Sequence, residues 1–107
     1  MAAVRVGAAE QGRSILLPVV VISHAPSREL YEQVAAGAHV DTDRPPGAII
    51  HTASELPDGR VRIVDVWESR EHAAGFERTR LVPALVAIGA PGGPPEREIT
   101  ETFHLIR

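Results

Sequence analysis

The sequence predicts an α+β fold of order β-α-β-β-α-β, and three observations predict it. Runs rich in β-branched residues recur at "LPVVVIS" (17–23), "AIIHTASEL" (48–56), "RVRIVDVWE" (60–68) and "REITETFHLI" (97–106). The first and second runs, and the third and fourth, are separated by stretches whose apolar residues return at helical spacing. The second and third are joined only by "PDG", a tight-turn signal.

The first run is apolar at consecutive positions, as a strand buried on both faces must be, and Pro18 can begin such a strand but not interrupt it. The first helix has Pro26 or Ser27 at its boundary and Glu29 in its opening turn. Leu30, Val34 and Ala38 form its apolar stripe, with Tyr31 beside it, and "DTDRPPG" (41–47) ends it. In the hairpin Pro57 suits the second position of a type I turn and Gly59 the left-handed position that follows. Ser69 is an N-cap for the second helix, Glu71 favours its dipole, and Ala73, Phe76 and Leu81 share one face. Pro83 is expected to start a second helical piece, "GAPGGPP" (89–95) a loop, and the fourth run the last strand. This order corresponds to the ferredoxin-like arrangement, a four-stranded antiparallel sheet with strands ordered 4-1-3-2. Residues 1–16 show no usable period and are expected to form a flexible N-terminal extension, leaving 17–107 as a single domain.

Composition excludes several function classes. Eleven Lys and Arg against fourteen Asp and Glu, with no basic cluster, argue against nucleic acid as a partner. The absence of cysteine removes disulfides, thiolate nucleophiles and Cys-ligated metal sites. No apolar run is long enough to span a bilayer, and Arg5, Glu10 and Arg13 interrupt the region where a signal peptide needs its apolar core. A cytoplasmic protein without a membrane partner is expected. No GxGxxG, Walker loop or GxSxG elbow occurs, and the five histidines lack HxH or HxxxH spacing, so neither a nucleotide cofactor nor a metal is expected.

The candidate site comes from the hairpin. If Leu56 faces Arg60 across the turn, then Ala53 faces Ile63, His51 faces Asp65 and Ile49 faces Trp67. Strand alternation then turns His51, Asp65 and Trp67 to one face of the sheet. A carboxylate opposite an imidazole fixes its tautomer and stabilises its protonated form. Two readings of the pair stay open: a proton acceptor working near neutral pH, or a satisfied polar pair in an apolar sheet. Trp67 reads as a ligand wall or as core filler, and Tyr31 as a phenol over the same cavity or as a residue at the helix–sheet boundary. His24, at the first strand–helix connection, and Phe76 complete the candidate binding residues. His72 is expected to face solvent, His39 to end the first helix, and His104 to lie on the last strand.

The run "GAIIHTASELPDGRVRIVDVWESREHAAGF" followed by "RLVPAL" resembles the dimeric α+β barrel superfamily, in particular its antibiotic-biosynthesis-monooxygenase-like members and their small bacterial relatives. The resemblance covers about residues 18 to 106, and its most specific parts are His51 after the glycine of the second strand and the "DVWES" run. It implies two ferredoxin-like protomers joining their sheets into a barrel, each with a pocket between helices and sheet, and a tryptophan at Trp67 lining that pocket. Two departures stand out: the first strand offers Ser23 and His24 where oxygenase and haem-degrading members often have asparagine, and the second helix has no haem-ligand histidine. The implied activity is cofactor-independent monooxygenation of an aromatic or polyketide-type substrate, with His51 as base, Asp65 orienting it, and Trp67 and Tyr31 holding the ring. The same residues would also serve a cofactor-free isomerase or cyclase of a polyketide-like ring; a third reading is a non-catalytic small-molecule-binding or stress-response dimer in which the His51–Asp65 pair is structural.

Overall fold

The computed structural model describes residues 17–90 and 95–107, so the expectation for residues 1–16 and the centre of the Gly/Pro loop lie outside it. Four strands form one antiparallel sheet: β1 (Val19–Ala25), β2 (Ala48–Glu55), β3 (Val61–Trp67) and β4 (Arg97–Glu101). Their order is β2-β3-β1-β4, which is the expected 4-1-3-2 read from the other edge. The two most apolar strands are therefore central, where both of their edges are hydrogen-bonded. The helices are α1 (Arg28–Gly37), α2 (Arg70–Phe76) and α3 (Val82–Ala87), and none of the described residues forms a helix long and apolar enough to cross a membrane.

Helix starts follow the chemistry of their caps. Ser27 and Ser69 are extended N-cap residues whose hydroxyls accept from the N–H groups of Leu30 and His72, satisfying donors that have no partner within the helix. At the end of α1, His39 takes the left-handed conformation (φ 58°), with Val40 N–H bonding back to Ala35 C=O. α3 is the second helical piece expected at Pro83, which lies in its opening turn, and a π-helical turn over Glu77–Leu81 joins it to α2 in one run. Proline lacks an N–H and its ring would strike the carbonyl four residues back, so widening the turn before it lets the chain continue.

The core sits between the sheet and the helices. Val19, Val21, Trp67 and Ala73 form its buried cluster, with Ala48, Phe76 and Ile99 packed against it. On the other face of the sheet Val20, Ile22, Ile50, Val64 and Val66 alternate with these residues.

Two register details differ from expectation. A bulge between Ala48 and Ile50 puts Ala48, not Ile49, opposite Trp67. The Arg44 guanidinium reaches from the preceding loop to the carbonyls of Ala48 (2.6 Å) and Ile49 (3.1 Å), giving the distorted backbone a local partner. β4 also ends at Glu101, short of His104. Its neighbour β1 begins at Val19, so the last rung is Thr102 N–H to Pro18 C=O (2.8 Å), and Pro18 has no N–H to continue the ladder.

Candidate active site

The "PDG" turn places the site. Leu56 N–H bonds to Arg60 C=O (2.7 Å), and Gly59 takes the left-handed φ of 90°. From that closure the ladder sets Ala53 opposite Ile63 and His51 opposite Asp65. His51 Nδ1 lies 2.5 Å from Asp65 Oδ1, and His51 Nε2 lies 2.6 Å from the hydroxyl of Tyr31, which reaches down from the first turn of α1. The phenol and imidazole rings are within 14° of parallel, with centroids 6.0 Å apart. Because a carboxylate only accepts, the neutral imidazole carries its proton on Nδ1 and accepts the phenol's hydrogen bond at Nε2. The side chains are 36% exposed for His51 and 14% for Asp65, open enough on one side for a ligand to approach.

These three residues lie on the wall of a cavity of about 470 Å³ between α1, the helical run and the sheet. Elsewhere its wall is chiefly apolar: Leu30 and Val34 from α1, Ile63 from β3, and Phe76, Leu81 and Leu85 from the helical run. The volume falls within the range of small-molecule sites, and polar groups converging at one end of an apolar hollow are the usual form of such sites. Arg80, on the π-helical turn, ties this roof to the loop after α1 through Asp43 C=O (2.6 Å), the Asp43 carboxylate (3.3 Å) and Ala38 C=O (3.4 Å). Helical periodicity alone does not reveal Arg80's role, because its partners are remote in sequence.

The remaining candidates are placed differently. Phe76 lines the cavity, and Ser23 and His24 contribute at its rim, although strand alternation turns His24 to the sheet face opposite Ser23. Trp67 shares a sheet face with His51 and Asp65 but is only 4% exposed, packed on Phe76 at 5.1 Å between centroids. It borders a separate hollow of about 70 Å³ that His51, Asp65 and Phe76 also touch, and not the larger cavity. His72, expected to face solvent, instead has Nδ1 2.7 Å from the Ser69 hydroxyl and its ring against Gly47. Among the described residues, no group of three or more His, Asp or Glu side chains is arranged to hold a metal ion.

The electrostatics favour a proton-accepting pair. The hydrogen bond to Asp65 raises the His51 pKa above the usual imidazole value; partial burial opposes this, and the charges of Asp65 and Asp41 reinforce it. The pair therefore stabilises the fold most below the usual imidazole pKa, and that contribution is lost as pH rises through the raised folded value. Neutral His51, the form able to act as base, predominates only above that value. If it is the base, the activity–pH profile rises at a higher pH than an ordinary imidazole would give, and Asp65→Asn moves the rise to lower pH while lowering the plateau. An unchanged midpoint in the variant's profile would exclude His51 as the titrating group. Tyr31 is also raised, first by burial and then by Asp41, Asp65 and Glu32, so its phenol stays protonated.

No family model and no curated protein matches the sequence. Among solved structures, the chain is similar to a monooxygenase from the gene ActVA-Orf6 of Streptomyces coelicolor, solved in complex with nanaomycin D (24% identity, TM-score 0.55, covering 86% of this chain and 92% of that one). It is also similar to a candidate antibiotic biosynthesis monooxygenase from Nitrosomonas europaea (16% identity, TM-score 0.59, 87% and 95% covered). A third likeness is to a conserved protein from Methanosarcina mazei Go1 (12% identity, TM-score 0.55, 81% and 92% covered). The chain thus has the ferredoxin-like α+β fold of antibiotic-biosynthesis-monooxygenase-like proteins, as the hairpin and "DVWES" residues led one to expect.

Proposed function

We propose that this protein is a cofactor-independent monooxygenase acting on a flat, electron-rich phenol or hydroquinone, with His51 as the base. The observation that carries this reading is the His51–Asp65 pair at the polar end of an otherwise apolar cavity of about 470 Å³. A fold neighbour that holds nanaomycin D supports a small-molecule ligand, and that monooxygenase together with the candidate monooxygenase from Nitrosomonas europaea supports the reaction class.

The chemistry balances without a further reactant. Loss of the phenolic proton to the His51 side of the site leaves an anion with carbanion character at the open ring carbon para to the oxygen. That carbon gives its electrons to dioxygen and forms a C–O bond. The peroxide takes the stored proton, and loss of water across the remaining C–H leaves a carbonyl. One phenol and one dioxygen thus become one quinone and one water, and Asp65 stabilises the imidazolium in between. Phe76, Leu81 and Ile63 would hold the ring.

The decisive test is dioxygen uptake with a panel of phenols and dihydroxynaphthalenes that are open para to a hydroxyl, including 1,5-dihydroxynaphthalene, corrected for autoxidation. One dioxygen consumed per quinone formed, with no hydrogen peroxide released, is the expected result. Rearranged product without dioxygen consumption would favour a cofactor-free isomerase or cyclase, and ligand recovered unaltered would favour a non-catalytic binding protein.

The working unit in this proposal is a homodimer. Val20, Ile22, Ile50 and Val64 lie on the sheet face opposite the core cluster, and Ile50 is 44% exposed. A second copy packed on that face would remove this apolar surface from water. Sedimentation should then give about twice the 11.5 kDa chain mass, and Ile50→Glu should shift it to one.

A further inference from the structure

This inference rests on the proposed function and concerns which group meets the substrate. Both ring nitrogens of His51 are engaged: Nδ1 by Asp65 at 2.5 Å and Nε2 by the Tyr31 hydroxyl at 2.6 Å. Neutral imidazole has one in-plane lone pair available to take a proton, and Tyr31 stands in front of it. The tyrosine is firmly placed. It lies in the first turn of α1, its N–H bonded to Ser27 C=O (3.0 Å), and Ser27 caps the helix through Leu30 N–H (3.2 Å). A molecule in the cavity that reaches toward the Nε2 lone pair therefore finds the phenol oxygen on it. That oxygen donates its one hydrogen to Nε2 and keeps lone-pair capacity for a hydroxyl arriving from the cavity.

We propose that Tyr31 is the catalytic residue that meets the substrate proton, passing its own proton to His51 Nε2 in the same step, so that His51 serves as base through the phenol. The substrate O–H bond breaks as a new O–H bond forms on Tyr31, and the old Tyr31 O–H bond breaks as an N–H bond forms on Nε2. Tyr31 ends neutral, the substrate is an anion, and the positive charge rests on His51 beside the Asp65 carboxylate. The raised Tyr31 pKa accords with this sequence, because a phenol that resists ionisation must gain one proton as it loses the other. His51 then acts as the proton store, and Asp65 as its counter-ion and positioning residue.

Tyr31→Phe and His51→Gln, assayed side by side for dioxygen uptake with 1,5-dihydroxynaphthalene, test the relay. The phenylalanine keeps the ring but removes the oxygen, so kcat should fall by about 100-fold or more, with KM changed less than about threefold. NMR titration should show the His51 imidazole still folded in place and titrating in that variant. The wild-type proton inventory in H2O–D2O mixtures should be curved, as two protons in flight require. A Tyr31→Phe variant that matches or exceeds wild type, or a linear inventory, overturns the relay and makes His51 the direct base. If His51→Gln retains full activity, or the wild type turns over no member of the panel, the underlying reading fails as well.

Discussion

His51→Gln should lower kcat for the phenolic probes by about 10²- to 10⁴-fold while leaving the thermal midpoint within a few degrees of wild type. Glutamine approximates the size of imidazole and can still bond to Asp65, but it cannot hold a proton at neutral pH. The expected loss is the contribution usual for a positioned acid–base group, about 3 to 5 kcal/mol of barrier. Stability should change little because β2 is an edge strand, and from His51 to Glu55 it is exposed throughout. Steady-state dioxygen uptake combined with a melting curve separates the two effects. A variant within about fivefold of wild type in kcat would show that the His51–Asp65 pair is structural, as a satisfied polar pair in a sheet can be.

Gly47→Ala should be the most destabilising single methyl group in the described chain, costing about 2 to 5 kcal/mol. Two independent terms add to this. Gly47 has a φ of +80°, where a Cβ costs about 1 to 2 kcal/mol. An added Cβ would also lie 2.3 Å from His72 Cγ and 2.6 Å from His72 Cβ, and overpacking of this kind costs about 1 to 3 kcal/mol. His72 cannot simply turn away. Its ring is bonded to Ser69, whose hydroxyl caps α2, and Gly47 C=O accepts from Glu68 N–H at 2.8 Å. The substitution therefore pushes on the corner where β3 enters α2. For a domain of this size the midpoint should fall by roughly 10 to 25 °C. His72→Ala in the same chain should recover the ring's share of the steric part only, because its Cβ, 2.6 Å from the added methyl, stays and the backbone part is untouched, a coupling that a double-mutant cycle measures. A fall of less than about 3 °C in the single variant would mean that the backbone at Gly47 relaxes freely.

Much of this fold was legible because its signals are local. The "PDG" turn sets the hairpin closure through residues adjacent in sequence, and strand alternation then carries the pairing of Ala53 with Ile63 and His51 with Asp65 along both strands. Consecutive apolar residues from Val19 to Ile22 marked a central strand, and Ser27 and Ser69 marked helix starts, because a side-chain acceptor three residues ahead of an unpaired N–H is a short-range arrangement.

What remained hidden depends on residues brought together from distant parts of the chain. The bulge before Ile50 is accompanied by Arg44 reaching its carbonyls, the last strand stops where Pro18 removes its partner, and His72 turns inward because Gly47 leaves it room. Alternation correctly put Trp67 on the same face as Asp65, yet only its packing with Val19, Val21 and Ala73, and with Phe76 against them, decided that the indole would be core. Above all, the sequence by itself determined that an imidazole would stand opposite a carboxylate, since a tight turn dictates register. Only the tertiary structure decided that a phenol from α1 would occupy the other ring nitrogen, because the docking of a helix across a sheet is set by the summed packing of both surfaces and by no short stretch of chain.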